Sequence, residues 1–155
     1  KEPHPMATTA KARVTLGKRP DKLRRTVTGP MPDGSDGLIE IDFKYRTRVE
    51  YGELLDRRMA EARASDEAAA AAEAAKAAQV ADGAPPPMPA SWSTDAQRRS
   101  RDATAAHILD IATGWGLPEP FDLEHVTQLC DELPGMAAAI VDDYRAAVLE
   151  GRRGN

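Results

Sequence analysis

The side chains best suited to acid–base or metal chemistry are few in this chain and widely spaced. The histidines are His4, His107 and His125, and the single cysteine is Cys130. No HExxH or CxxC spacing occurs, so a zinc site has little support. His107 and Asp110 stand three residues apart and would touch on a helix, but such pairs are mostly exposed ion pairs on a solvated face.

Two further candidates for chemistry have ordinary structural interpretations. Asp142 and Asp143 could contribute to a divalent-ion site, although adjacent carboxylates on an outer helix face mostly point to solvent. Cys130 falls on an apolar helical stripe with Val126 and Leu133, a pattern typical of a small core residue. The phosphate-binding patterns GxxxxGK[ST] and GxGxxG do not occur. We therefore predict a non-enzyme without catalytic residues, metal or cofactor.

Charge and composition limit the classes of partner. Residues 1–30 contain eight Lys or Arg and two acids, a net charge of +6, whereas the whole chain carries −4. A basic segment favours nucleic acid or an acidic protein, but this one lacks the interleaved aromatic residues of an RNA-binding strand. Nucleic-acid binding is therefore the less favoured alternative. Its phosphate contacts would come from Arg13, Lys18, Arg19, Lys22, Arg24 and Arg25.

The cellular location follows from two further sequence features. One cysteine excludes a disulfide framework and suits a reducing cytoplasm. No apolar run approaches the ~20 residues that a membrane-spanning helix needs, so no membrane partner is expected.

The first third of the chain predicts β structure followed by a helix. Alternating apolar residues predict strands at Arg13–Leu16, Leu23–Thr28 and Leu38–Tyr45, and the turn formers GPMPDGSDG between the last two predict a hairpin. Thr47 and Glu50 have the spacing of a capping box, which predicts the start of the first helix.

The remainder predicts helices around a proline-rich break. The alanine-rich stretch DEAAAAAEAAKAAQVADG continues the first helix as an exposed or frayed segment, and APPPMPA ends it. Thr94 with Gln97 predicts a second capping box, for a helix reaching about residue 113. Asp122 is the predicted cap of a third helix, Pro134 the start of a fourth and Gly151 its end.

The predicted fold class is therefore α+β, mainly α: a small N-terminal hairpin or three-stranded sheet and about four helices. We expect a flexible leader at 1–12, of which 1–5 are not native, and a β region at 13–46. A long helix at 47–81 precedes a Pro-rich linker at 82–93. A helical region at 94–150 and a basic tail at 151–155 complete the chain.

The order of these features resembles the tail assembly chaperones of long-tailed phages and prophages. The matching stretches are FKYRTRVEYGELL, Phe43–Leu55, and the block Ile108–Asn155 with its Gly-Trp-x-Leu turn, Pro-Gly helix start and basic tail. The resemblance departs at roughly Ala60–Ala90, where the Ala- and Pro-rich segment is longer than the usual connector of that family.

The resemblance implies a chaperone that binds and shields the tape measure protein, helps recruit tail tube subunits and acts in the bacterial host cytoplasm. We also expect self-association into oligomers. The alternative is a structural tail component, such as a completion or connector protein, that stays in the virion.

The candidate partner-binding residues are apolar side chains of the C-terminal part. The segment GWGLPEPF joins two predicted helices, and its large side chains either fold back into the core or border a groove for a partner helix. The predicted set comprises Trp115, Leu117, Phe121, Leu129, Leu133, Met136, Ile140 and Tyr144.

Overall fold

The computed structural model describes residues 11–79, 83 and 91–151 and confirms the mainly helical α+β fold class. The expected leader before residue 11, most of the expected linker and the tail after residue 151 lie outside the described residues. In chain order the elements are β1 (Lys22–Pro30), β2 (Asp36–Lys44), α1 (Arg48–Ala78), α2 (Trp92–Ile111), β3 (Ala112–Trp115), α3 (Leu123–Glu132) and α4 (Pro134–Glu150).

The two long strands form the predicted antiparallel hairpin, because a cluster of turn formers separates two alternating apolar patterns. In the turn, the Met31 N–H donates to the Ser35 carbonyl at 2.8 Å, and the Asp33 carboxylate accepts the Ser35 N–H at 2.9 Å. The alternation places one face of β2 in the core, with Ile39, Ile41 and Phe43 buried.

The third strand is not the predicted one. Arg13–Leu16 forms no strand, and Val14 and Leu16 are 91% and 92% exposed. Instead β3 leaves the end of α2 directly and pairs antiparallel with β2, so the strand order is β1-β2-β3. The sequence ATGW has little strand character of its own, and β3 exists because α2 delivers it to the open edge of β2.

The start of α1 confirms the predicted capping box. The Glu50 N–H donates to the Thr47 hydroxyl at 3.3 Å, and the Thr47 N–H donates to the Glu50 carboxylate at 2.8 Å. The predicted box at Thr94 and Gln97 is wrong, because α2 already begins at Trp92. A residue inside the first turn is helical and cannot serve as the N-cap.

The last two helices begin as predicted. The Asp122 carboxylate accepts the His125 N–H at 2.9 Å and caps α3. Pro134 is the first residue of α4, and Gly151 ends it with a left-handed φ of 62°, a backbone conformation that favours glycine.

Helix α4 packs against β1 and β2, while α2 and α3 pack against each other and against α4, so the three helices enclose one core with the sheet. Tyr144 of α4 is fully buried, with its ring centroid 5.1 Å from that of Phe43 and 5.5 Å from that of Tyr51. Helix α1 contributes only Tyr51 and Leu54 to this core. At 31 residues it is ~46 Å long, so most of it extends away from the packed part of the chain.

Helix α4 approaches β1 closely because glycines lie at the contact. A Cβ at Gly135 would stand 2.7 Å from Pro30 Cγ, and one at Gly29 would stand 3.0 Å from Ala139 Cβ. Both distances are shorter than ordinary carbon contacts. The start of α4, and with it the α3–α4 junction, is therefore held directly against the sheet.

Candidate partner-binding groove

A small open groove lies between the β3–α3 loop and α3. We call it the α3 groove; its volume is about 190 Å³. It is lined by Trp115, Leu117, Glu119, His125, Gln128, Leu129, Glu132 and Leu133. Four of these, Trp115, Leu117, Leu129 and Leu133, belong to the predicted partner-binding set, so the fold brings half of that set to one place.

Two hydrogen bonds and a contact between aromatic rings anchor the β3–α3 loop. The Gly116 N–H donates to the Glu40 carbonyl of β2 at 2.9 Å, which attaches the loop to the sheet. The Trp115 indole N–H donates to the Glu119 carbonyl at 2.7 Å. The Trp115 ring also meets the Phe121 ring edge to face, with centroids 5.2 Å apart. These contacts position Leu117 at the mouth of the groove without burying it.

The opposite wall of the groove is α3, which begins at a side-chain cap. The Asp122 carboxylate accepts the His125 backbone N–H and lies 2.7 Å from His125 Nδ1. The backbone hydrogen bond from His125, followed by the side-chain one, lowers the pKa of Asp122. The cap therefore remains a carboxylate at neutral pH, where its charge favours the helix N-terminus.

The eight predicted residues divide into surface and core positions. Met136, Ile140 and Tyr144 are at most 3% exposed, and Leu129 is 5% exposed. These four support the fold of the isolated chain. Trp115, Phe121 and Leu133 are half-buried, and Leu117 is 37% exposed. The part of the set that can meet a partner without unfolding is therefore the surface group, centred on Leu117.

The α3 groove is acidic as well as apolar. Residues 116–133 contain five Asp or Glu and no Lys or Arg. Within the described part of the chain, Glu119 and Glu132 form no ion pair with Lys or Arg, and Glu132 accepts only the Gln128 amide at 3.0 Å. The predicted apolar set supplies part of the groove lining, whereas the polar lining residues Glu119 and Glu132 were not among the predicted residues. The run of acids from 119 to 132 was the available signal.

The arginines and lysines proposed for phosphate binding are largely engaged within the protein. Lys22 and Arg24 both pair with Asp42, at 3.1 and 2.8 Å. Arg19 pairs with Glu50, and Arg25 pairs with Asp143. These contacts reduce the support for the nucleic-acid alternative, because phosphates would have to displace carboxylates already in place. Lys18 and Arg13 form no such pair within the described residues.

The residues considered for acid–base or nucleophilic chemistry have structural environments instead of catalytic ones. Asp110 lies 3.0 Å from Arg58 and 3.7 Å from Arg57 rather than in a pair with His107. Burial, followed by the nearby Arg58 charge, lowers the pKa of His107. Burial raises the pKa of Cys130 to about 11, which disfavours a thiolate nucleophile at neutral pH.

Asp142 and Asp143 have different environments, although they are adjacent in sequence. Asp142 is exposed, whereas Asp143 is half-buried and pairs with Arg25. Across the described ranges, no cluster of three or more His, Cys, Asp or Glu residues is suited to a metal ion. None of the helices in those ranges has the length and apolar character to cross a membrane.

Comparison with known proteins identifies one family. The family model described as phage tail assembly chaperone matches residues 9–155, which confirms the resemblance seen in the sequence motifs. Searches of curated proteins and of solved structures returned no significant match.

Proposed function

Because the chain belongs to the phage tail assembly chaperone family, we propose that it binds the tape measure protein, shields its apolar helical stripes and helps to recruit tail tube subunits in the host cytoplasm. Membership in a chaperone family implies a non-enzymatic role. The observation that carries the finer proposal is the α3 groove, where apolar side chains and unpaired carboxylates meet on an exposed surface.

The groove lining indicates the chemistry of the client segment. An amphipathic helix can place one or two apolar side chains against Trp115, Leu117 and Leu133. Lysines or arginines flanking that stripe would meet Glu119 and Glu132. The groove is short and open, so each copy would make a weak contact, and coverage of a long client would depend on many copies bound along it. Weak contacts also suit a chaperone that tube polymerisation must displace.

The experiment is coexpression of the chain with fragments of a tape measure protein, followed by affinity capture and a solubility assay. The test variant is Leu117→Asp, which puts a charge at the mouth of the groove. The matched control is Leu123→Asp, because Leu123 is 62% exposed but does not line the groove. We expect the Leu117 variant to lose capture and client solubility, and the Leu123 variant to keep both.

Two outcomes would contradict the proposal. Equal capture of the client by both variants would remove the groove as the binding site. Stoichiometric amounts of the chain in purified mature tails would instead favour the structural tail component, since a chaperone leaves before the particle is complete.

A further inference from the structure

The segment that precedes β1 has a pattern that the fold of one chain does not use. In Lys11–Leu16, an extended backbone would place Ala12, Val14 and Leu16 on one side and Lys11 and Arg13 on the other. Val14 and Leu16 are nevertheless 91% and 92% exposed. They are the most exposed large apolar residues of the described chain. Such a pattern is typical of a segment that binds in an extended conformation.

The same segment is strongly basic. Residues 11–19 contain four Lys or Arg and no acid. Arg19 is engaged with Glu50 and with the Tyr45 ring. Lys11, Arg13 and Lys18 have no ion-pair partner within the described residues. The segment therefore presents both apolar side chains and free positive charge to its surroundings.

The α3 groove has the complementary properties. It offers apolar contact at Trp115, Leu117 and Leu133, beside Glu119 and Glu132. Residues 116–133 contain five Asp or Glu and no Lys or Arg. Of these acids, Asp131 lies 3.8 Å from Arg101 and Asp122 lies 2.7 Å from His125, whereas Glu119 and Glu132 line the groove. Opposite charges at a small apolar contact favour association and determine its orientation.

We propose that Lys11–Leu16 of one copy binds the α3 groove of a second copy, with Val14 or Leu16 against Leu117 and the basic side chains beside Glu119 and Glu132. The two surfaces are different parts of the chain, so the contact is heterologous. A pair of copies therefore keeps one free groove, on the copy that gave its segment, and one free segment, on the other copy. Such a contact builds head-to-tail chains or closed rings rather than symmetric dimers.

The positions of the two surfaces favour a second copy over the same chain. Arg19 is held at Tyr45 and Glu50, one end of β2, and Leu16 lies only three residues before it, a reach of about 10 Å at most. The groove begins after Gly116, which is bonded to Glu40, and Glu40 is about 17 Å from Tyr45 along the strand. With Arg19 held there, Val14 and Leu16 stay exposed and do not occupy the groove of their own chain.

This inference concerns the groove of the proposed function but does not depend on client binding. Self-association is measured without any client present, so it can fail or succeed independently of the tape measure proposal. If both hold, the client and the segment compete for one groove, and self-assembly regulates access to it.

The test is sedimentation velocity of the full chain at low salt and rising concentration, with two variants that each disable one surface. Leu16→Asp places a charge in the binding segment, and Leu117→Asp places one in the groove. Each substitution alone should weaken association by about tenfold or more, since each removes one buried apolar contact. Met59→Asp is the control, because Met59 is 56% exposed on α1 and belongs to neither surface. It should associate like the unaltered chain.

Mixing the two variants distinguishes the head-to-tail contact from every other arrangement. The Leu117 variant retains a working segment and the Leu16 variant retains a working groove, so an equimolar mixture should form a one-to-one dimer and nothing larger. A mixture that stays monomeric, or an unaltered chain that is monomeric up to millimolar concentration, would overturn the proposal. Dimers that persist in the Leu16 variant alone would do the same.

Charge reversal supplies a second measurement that folding defects cannot imitate. Glu132→Lys should weaken association, and Arg13→Glu should weaken it as well. An equimolar mixture of the Glu132→Lys chain and the Arg13→Glu chain should restore polymers in which the two alternate. The unaltered segment of the first chain meets the unaltered groove of the second, and the altered segment of the second meets the altered groove of the first, so every contact has opposite charges. A double variant carrying both changes should recover association between its own copies. No recovery in a double variant that folds normally would place the contact elsewhere.

Discussion

The Tyr144 hydroxyl donates a hydrogen bond to the backbone carbonyl of Lys44 at 3.0 Å, across 100 residues of sequence. This bond joins the last helix to the end of β2, at the point where the strand leads into α1. The Arg46 guanidinium donates to the same hydroxyl at 3.2 Å. The contact thus connects the C-terminal helices, which carry the groove, to the N-terminal hairpin.

Removing that hydroxyl should destabilise the fold while leaving its packing intact. We expect Tyr144→Phe to lower the free energy of unfolding by about 1–2 kcal/mol, because the Lys44 carbonyl loses its donor in a partly buried site. Urea denaturation measures the change. Tyr45→Phe is the control, since the Tyr45 hydroxyl forms no hydrogen bond within the part of the chain that the structure describes. A loss of equal size there would contradict this interpretation.

The two adjacent aspartates of α4 should differ sharply when substituted. Asp143→Ala should cost about 2 kcal/mol of stability, because it removes a carboxylate that pairs with Arg25 at a site where that side chain is only 10% exposed. Asp142→Ala should change stability by less than about 0.5 kcal/mol, because Asp142 is exposed. Thermal and urea unfolding of both variants provide the comparison, and equal effects would show that the ion pair contributes little.

Asp42 should account for a measurable part of the stability that the fold loses at low pH. The hydrogen bond from Arg24, with further help from Lys22, lowers the pKa of Asp42 from 3.8 to about 2. The folded chain therefore binds this proton less readily than the unfolded chain, so the carboxylate stabilises the fold above pH 3.8 and that contribution is lost as the pH falls through about 2.

The measurement is the free energy of unfolding as a function of pH. Asp42→Asn should lose less stability than the unaltered chain as the pH falls from ~5 to ~2. Asp56→Asn is the control, because Asp56 is exposed on α1 and forms no ion pair among the described residues. An Asp42 variant with an unchanged pH profile would show that Arg24 and Lys22 do not hold the carboxylate in solution.

The alanine-rich half of α1 should unfold without affecting the core. We expect Ala71→Pro to reduce the helical circular dichroism signal but to change the free energy of global unfolding by less than about 0.5 kcal/mol, because Ala71 is exposed and beyond the packed turns. Leu54→Ala, at a site only 2% exposed, should cost about 3 kcal/mol. A cooperative loss of stability in the Ala71 variant would mean that this half of α1 packs against another surface in solution.

Much of the local structure could be predicted from the sequence because short-range rules govern it. The hairpin follows from alternating residues on both sides of a turn-forming cluster. The starts of α1 and α3 follow from Thr47 with Glu50 and from Asp122, whose side chains reach backbone N–H groups three residues away. The end of α4 at Gly151 depends on one residue that accepts a left-handed conformation.

The errors lie where distant elements compete. Arg13–Leu16 alternates like a strand, but a strand needs a neighbouring strand to pair with. In the single chain these residues pair with no other strand. Thr94 has the capping spacing, but α2 starts earlier, at Trp92. The predicted partner-binding set was selected on apolar character alone, which does not distinguish Ile140 and Tyr144 in the core from Leu117 at the surface.

The sequence by itself determined which segments become helix or hairpin and where most of them begin and end, because hydrogen bonds to near neighbours decide these features. Only the tertiary structure decided that ATGW becomes the third strand and that Leu117 faces an acidic groove while Tyr144 is buried. Burial and strand pairing depend on the packing of residues that are far apart in the chain. The apolar periodicity of a helix or loop does not indicate which of its side chains another element will bury.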